Sequence, residues 1–206
     1  ESIAIKPLLI MIAATLGLAA CGETFTAAER EVIHAGGHGI MRVLSIDNEA
    51  DSLALREESR PMSESLLRTE EYALLRERML QTVQNPEAEG VGIAAPQVGV
   101  RRAVIAVQRF DKEGEPFEFF LNPEIIELLG EKADGGEGCL SVPELYGNVS
   151  RWQHILLRYR DEQWVEHTEH IEGFTAVIFQ HEVDHLSGRL FIDYLSAEGL
   201  EEPIAE

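Results

Sequence analysis

His181-Glu182-Val183-Asp184-His185 is the stretch of this chain whose residue types and spacing point most directly to chemistry. Residues four apart on a helix share one face, so both imidazoles can reach one metal ion. Glu182 is turned by about 100° from His181. It therefore flanks the ion and sits where a base for an activated water belongs. The bland reading is a helix with two histidines decorating its surface. Phe174, Val177, Ile178 and Phe179 argue against it, because they make the preceding turns apolar and the helix central. An ionisable cluster inside such a helix is costly unless a metal pairs with it.

Two imidazoles leave a third ligand to find. Downstream of the motif stand only Asp193, Glu198, Glu201, Glu202 and Glu206, with no further histidine. Cys139 is the soft candidate, in the glycine-punctuated loop Gly135-Gly136-Glu137-Gly138-Cys139-Leu140. A thiolate with two imidazoles suits a catalytic divalent transition metal and leaves a fourth position for water. Without the histidine pair, Cys139 would read as a small buried residue.

The elements that must carry these residues can be sketched from periodicity. Ile40–Ile46 reads as a first strand, and Glu64–Val83 as a helix with Leu67, Leu74, Leu75 and Leu80 near one face. Arg102–Val107 reads as a strand, and Asp111–Pro116 as a turn into a strand at Phe117–Leu121. Ile155–Tyr159 and Trp164–Ile171 read as an antiparallel pair, in which His167 and His170 decorate opposite sides of a strand. A helix from Phe174 to Leu186 follows, stopped by Gly188. Strands grouped around separated helices imply an α+β fold, with antiparallel sheets around a central metal-binding helix.

The chain has 206 residues and a formal charge of -20, from 37 acidic and 17 basic side chains. Its length suits one domain with a real core. Its acidity excludes nucleic acid as a partner, since phosphate binding relies on clustered Lys and Arg. The apolar run Pro7–Ala20, about 14 residues, is short of the roughly 20 needed to span a bilayer. It suits the core of an export signal. Leu18-Ala19-Ala20-Cys21 resembles a bacterial lipoprotein processing box, which would make Cys21 a lipidation site and a membrane anchor; the alternative is a buried N-terminal helix. The expected organisation is a signal segment at 1–21, a tether or loose arm at 22–39, a catalytic domain at 40–200 and an acidic tail at 201–206. His34 and His38 lie in the arm, where Gly36, Gly37 and Gly39 deny them the rigid support a metal site needs.

Three segments together resemble the peptide deformylases, metal hydrolases that remove the formyl group from N-terminal formylmethionine. They are Gly90-Val91-Gly92-Ile93-Ala94-Ala95-Pro96-Gln97, Glu137-Gly138-Cys139-Leu140-Ser141 and Gln180-His181-Glu182-Val183-Asp184-His185. The resemblance covers roughly Ile40 to Leu195 and implies that Cys139, His181 and His185 bind the metal, with Glu182 as general base and acid. It implies that Gln97 and the backbone N–H of Leu140 stabilise the oxyanion. Gly90, Val91, Gly92 and Gly138 would border the substrate, and Phe174 and Val177 would line the methionine pocket. Arg151 would pair with Asp184. The family usually holds Fe(II), with Ni(II), Co(II) or Zn(II) as substitutes, and acts on formylmethionyl peptides or nascent N-termini. Two features depart from that pattern: the export-type start, against an expected cytoplasmic location, and an acidic end where ribosome docking favours a basic one. The competing readings are a metalloendopeptidase, which requires a third ligand other than Cys139, and an idle membrane-tethered peptide-binding module.

Overall fold

The computed structural model describes residues 23–87, 90–195 and 200–201. Cys21 and the apolar run before it lie outside them. Among the described residues no helix is long and apolar enough to cross a membrane.

Helices come first along the chain: α1 (Ala27–His34), α2 (Glu49–Leu55), α3 (Glu64–Leu67) and α4 (Glu70–Val83). Strands β1 (Gly92–Ala94), β2 (Val104–Gln108), β3 (Phe117–Cys139), β4 (Val142–Arg160) and β5 (Glu166–Glu172) follow, then α5 (Gly173–Leu186) and β6 (Leu200–Glu201). The strands form one antiparallel sheet in the order β1-β2-β3-β4-β5, with β6 pairing to β4 at Tyr146 and Gly147. The fold is α+β, as expected, with α5 against the sheet.

Helix α5 is held by its apolar residues. Ala176, Ile178, Phe179 and Leu186 pack with Ile105, Val107, Phe120, Ile155, Leu157 and Ile171 from the sheet. Phe179 meets Phe120 edge-on, ring centroids 4.7 Å apart. Gly188 follows the helix with φ 68°, and a Cβ there would lie 2.3 Å from the Arg56 carbonyl oxygen, so only glycine fits this stop. A second core joins α1 and α4 to the outer strands through Phe25, Ile33, Leu75, Met79 and Ile93.

Several expectations are corrected. Ile40–Ile46 joins no strand: its N–H groups at Met41, Leu44 and Ile46 donate to Thr82 Oγ1, the Gln97 carbonyl and the Ser141 carbonyl. The helix read over 64–83 is two, because the Thr69 side chain accepts from the Tyr72 N–H and caps α4 afresh. Strand β3 runs far past Leu121, with register shifts between Leu121/Glu124, Ile125/Glu127, Leu129/Lys132 and Glu137/Cys139. Its middle is largely exposed on both faces, so no apolar alternation marked it. His167 does more than decorate. It bonds Asp161 at 2.6 Å and stacks on Tyr159, while His170 is exposed beside His154.

Residues 23–39 are no loose arm. Thr26 and Glu29 form a reciprocal capping box that starts α1. Glu29 also binds the buried Arg102 guanidinium, and buried Arg78 of α4 donates to the carbonyls of Ile33, Gly39 and Ile40. Phe25 and Ile33 are fully buried. We expect Phe25→Ala to lower unfolding free energy by about 3–5 kcal/mol, the usual cost of emptying a buried phenylalanine site. Denaturant titration checks this, and a change near zero would restore the tether.

Candidate metal centre

Cys139 ends β3, and β4 begins three residues later, so the thiol is presented at a tight reversal. Helix α5 brings His181 and His185 to it one turn apart. The ligand atoms of Cys139, His181 and His185 all lie within 4.8 Å of one another, the one such trio among the described residues. Cys139 Sγ is 3.3 Å from His185 Nε2. The two imidazole rings meet at 70°, with centroids 5.1 Å apart.

The ring states suit ligation. His181 Nδ1–H donates to Glu137 Oε2 at 2.8 Å, which leaves Nε2 to face the cluster. Burial works to lower the His181 pKa, but hydrogen bonds to Cys139 and Glu137 outweigh it and hold it well above the ordinary value. A cation can take the place of that proton. Burial drives the His185 pKa well down, so this ring stays neutral, as a ligand must. His185 Nδ1 and Glu182 Oε2 are buried without a partner among the described residues. The orphaned Glu182 oxygen beside a thiol and two imidazoles fits a divalent transition metal.

Glu182 sits beside this cluster and is almost fully buried. Burial pushes its carboxyl up to about 7, against the lowering pull of the His181 charge. β1 leaves room for it: a Cβ at Gly92 would lie 2.5 Å from Glu182 Oε1. Gln97 is held rigidly. Its Oε1 accepts from the Ala94 N–H at 2.8 Å, so its Nε2 points to Cys139 Sγ and Ser141 Oγ, each at 3.4 Å.

All of these groups except the buried His185 line a cleft of about 740 Å³ that also includes Gly90, Val91, Gly138, Leu140, Phe174 and Val177. The structure thus brings together every site residue expected from the sequence except Arg151, Asp184 and Cys21. Arg151 and Asp184 stand behind the cleft wall, and Cys21 is outside the described residues. Among the described residues β1 is the terminal strand of the sheet, so one of its edges carries no strand there.

Arg151 does meet Asp184, with Nη1 2.6 Å from Oδ2. It also grips Glu137 with two hydrogen bonds, of 2.7 and 3.0 Å. Glu137 is the residue whose role the sequence did not reveal. It links Arg151 to His181, so one guanidinium orients a ligand and the ligand-bearing helix together. Burial raises the Glu137 pKa, but the hydrogen bonds from His181 and Arg151 outweigh it and hold this carboxyl below the ordinary range. Tyr194 closes the cluster, donating to Asp184 Oδ1 at 3.0 Å.

Known proteins resemble this chain in sequence and in fold. Residues 40–200 match the family model described as polypeptide deformylase. The peptide deformylase of Leptospira biflexa serovar Patoc is 39% identical over 168 residues, covering 78% of this chain and 90% of the relative. That of Caulobacter vibrioides is 42% identical over 159 residues, covering 76% and 88%. Among solved structures, the actinonin-bound class I type b peptide deformylase of Acinetobacter baumannii superposes with a TM-score of 0.67 at 36% identity, covering 76% of this chain and 99% of that one. The same enzyme bound to Met-Ala-Ser gives 0.67 at 34% identity, covering 76% and 98%. The metal-dependent chemistry read from Cys139 and the histidine pair thus coincides with a match across most of the sequence, and the chain belongs to the peptide deformylase family.

Proposed function

We propose that this cleft removes the formyl group from N-terminal formylmethionine of peptides, releasing formate and a free amine. The observation that carries the reading is the gathering of Cys139 with His181 and His185 beside an unpartnered, buried Glu182. An endopeptidase would need another third ligand, and Cys139 fills that place.

Cys139 Sγ, His181 Nε2 and His185 Nε2 would hold one divalent transition metal, Fe(II) in our reading, with Ni(II), Co(II) or Zn(II) as substitutes. That cation would acidify a water molecule and polarise the formyl oxygen. Glu182 takes the proton of the attacking water at its carboxylate and returns it to the departing amine. One of its carboxylate oxygens has no other partner among the described residues and is free for both transfers. Gln97 Nε2 and the Leu140 N–H donate to the oxygen where negative charge develops; loss of one such donor typically costs about 10²–10³ in rate. The peptide backbone adds alongside Val91 and Gly92 as a further strand on the free edge of β1. Phe174 and Val177 receive the methionine side chain, and Gly90 and Gly138 keep the cleft walls low. Arg151 and Asp184 keep α5 and its ligands in place.

The test is formate release from a formyl-Met peptide by protein prepared anaerobically with Fe(II) or Ni(II). Formate appearing with a new free N-terminus is the expected result. Cleavage of internal bonds, or no formate, would overturn the reading. Gly92→Ala is a second test. The added methyl would push the Glu182 carboxylate aside, and a displacement of about 1 Å can cost about 10² in rate. We expect that loss in kcat with metal content unchanged, measured by elemental analysis beside the formate assay.

The charge of -20 supports free peptide or emerging N-termini as substrate and opposes docking on ribosomal RNA. Lipid attachment at Cys21 is tested by mass spectrometry of the protein from native cells. A lipid-modified Cys21 at the mature N-terminus is expected, and an unprocessed chain in the soluble fraction would remove that expectation.

A further inference from the structure

Away from the cleft, β4 and β5 bring two histidines together on the solvent face of the sheet. In their antiparallel register Leu156 opposes His170 and His154 opposes Glu172, so the two imidazoles are diagonal neighbours. Ile155 and Ile171 alternate with them and are buried in the core, which turns both histidines outward. His154 Nε2 lies 2.8 Å from His170 Nδ1, with ring centroids 4.9 Å apart. The other nitrogen of His154, Nδ1, faces Glu172 Oε1 at 3.7 Å.

As a hydrogen bond between two neutral rings at the surface, this contact gains little, because water serves each nitrogen nearly as well. As a pair of metal donors it is nearly assembled. Two imidazole nitrogens bound to one ion at about 2.1 Å stand roughly 3.4 Å apart in tetrahedral geometry, so each ring need yield only about 0.3 Å. Glu172 favours the ring state that ligation requires. It draws the His154 proton to Nδ1 and leaves the Nε2 lone pair facing His170, as a carboxylate does behind a metal-bound imidazole. His170 offers Nδ1 once its own proton moves to Nε2. Water completes the shell. Imidazole donors suit late divalent transition ions such as Ni(II) and Zn(II), and not Mg(II) or Ca(II). The formal charge of -20 raises the local concentration of any such cation.

We propose that His154 and His170, oriented by Glu172, form a second metal site for one late divalent transition ion, separate from Cys139, His181 and His185. Glu172 ends β5 and Gly173 opens α5 at the next position, while Arg151 lies three residues before His154 on β4. An ion held here therefore fastens β4 to β5 at the point from which the helix bearing His181 and His185 starts. Its effect falls on stability and grows with the ion concentration.

The experiment titrates Ni(II) into holoenzyme whose catalytic centre already holds one Ni(II), at about pH 7.5, where free imidazole is mostly neutral. Calorimetry and elemental analysis count the ions. One further ion per chain is expected, with a thermal midpoint higher by about 5–10 °C at about a hundredfold excess over its Kd. His154→Ala and His170→Ala should each lose the further ion and the rise in midpoint, and His167→Ala should keep both. Glu172→Gln should weaken the further ion by about tenfold. Its side chain makes no hydrogen bond that caps α5, so the helix itself is left alone. Formate release per catalytic ion should be unchanged in all four variants. No further ion, or one that both His154→Ala and His170→Ala still bind, would overturn the proposal. Absence of formate from the parent would instead overturn the deformylase reading and leave the ion count standing.

Discussion

Glu182→Gln retains its full complement of metal and loses about 10²–10⁴-fold in turnover, the span covered by a positioned acid–base group. Glutamine keeps the volume and polarity of the side chain but can neither accept nor return the proton. Metal content should not fall, because Glu182 contributes no atom to the trio of Cys139, His181 and His185. The same substitution should raise stability in the metal-free protein above neutral pH. Burial lifts the Glu182 carboxyl from 4.5 to about 7, so between those values the folded state binds more protons than the unfolded one. Stability contributed by this group is present below pH 4.5 and is lost as pH rises through 7. The variant lacks that loss, and its thermal midpoint should exceed that of the parent at pH 8 and converge with it in acid. Retained turnover would refute the base assignment. A midpoint unchanged at pH 8 would refute the burial cost.

Arg151→Ala should be the most destabilising change near the site. It strands Glu137 and Asp184, both buried, and breaking a buried pair by removing one partner costs about 3–5 kcal/mol. Because Glu137 also fixes the His181 ring, metal affinity should fall by about 10–100-fold, as for other groups that orient a ligand. The acid limb of the stability curve carries a further signature. The lowered pKa of Glu137 contributes stability above its unfolded value near 4.5, lost as pH falls through the lower folded value. Arg151→Ala removes one of the two donors behind that shift, so the variant should lose less stability than the parent in that acid window. Urea unfolding across acid pH, with metal titration by competition, checks both effects. Arg151→Lys keeps the charge but not the paired grip on Glu137, and should fall between the two.

Much of the site was legible from residue types and short spacings. The His181–His185 pair and the flanking Glu182 follow from helical geometry, and Cys139 follows from the chemistry of a third soft ligand. The pairing of Arg151 with Asp184 came from family resemblance and holds in the structure. The position of Glu137 could not be read this way. It sits two residues from Cys139 in the chain, yet it acts on His181 and Arg151, and those contacts arise only when β4 folds back along β3 and α5 packs against the sheet. One missed element did leave a local signal. Thr26 and Glu29 are three apart, the spacing of a capping box, but the glycines that follow suggested a tether.

The sequence by itself determined which residues could bind a metal and move a proton, because those properties belong to side-chain chemistry and to the fixed 3.6-residue turn of one helix. Only the tertiary structure decided how they are poised. Burial, not sequence, raises the Glu182 carboxyl and keeps His185 neutral. The long β3–β4 hairpin shows the same division. Its exposed middle has no apolar alternation to announce it, yet its register carries Cys139, Glu137 and Arg151 to the helix bearing His181 and Asp184. Long-range packing sets such distances and local dielectric surroundings, and neither is encoded in any short window of residues.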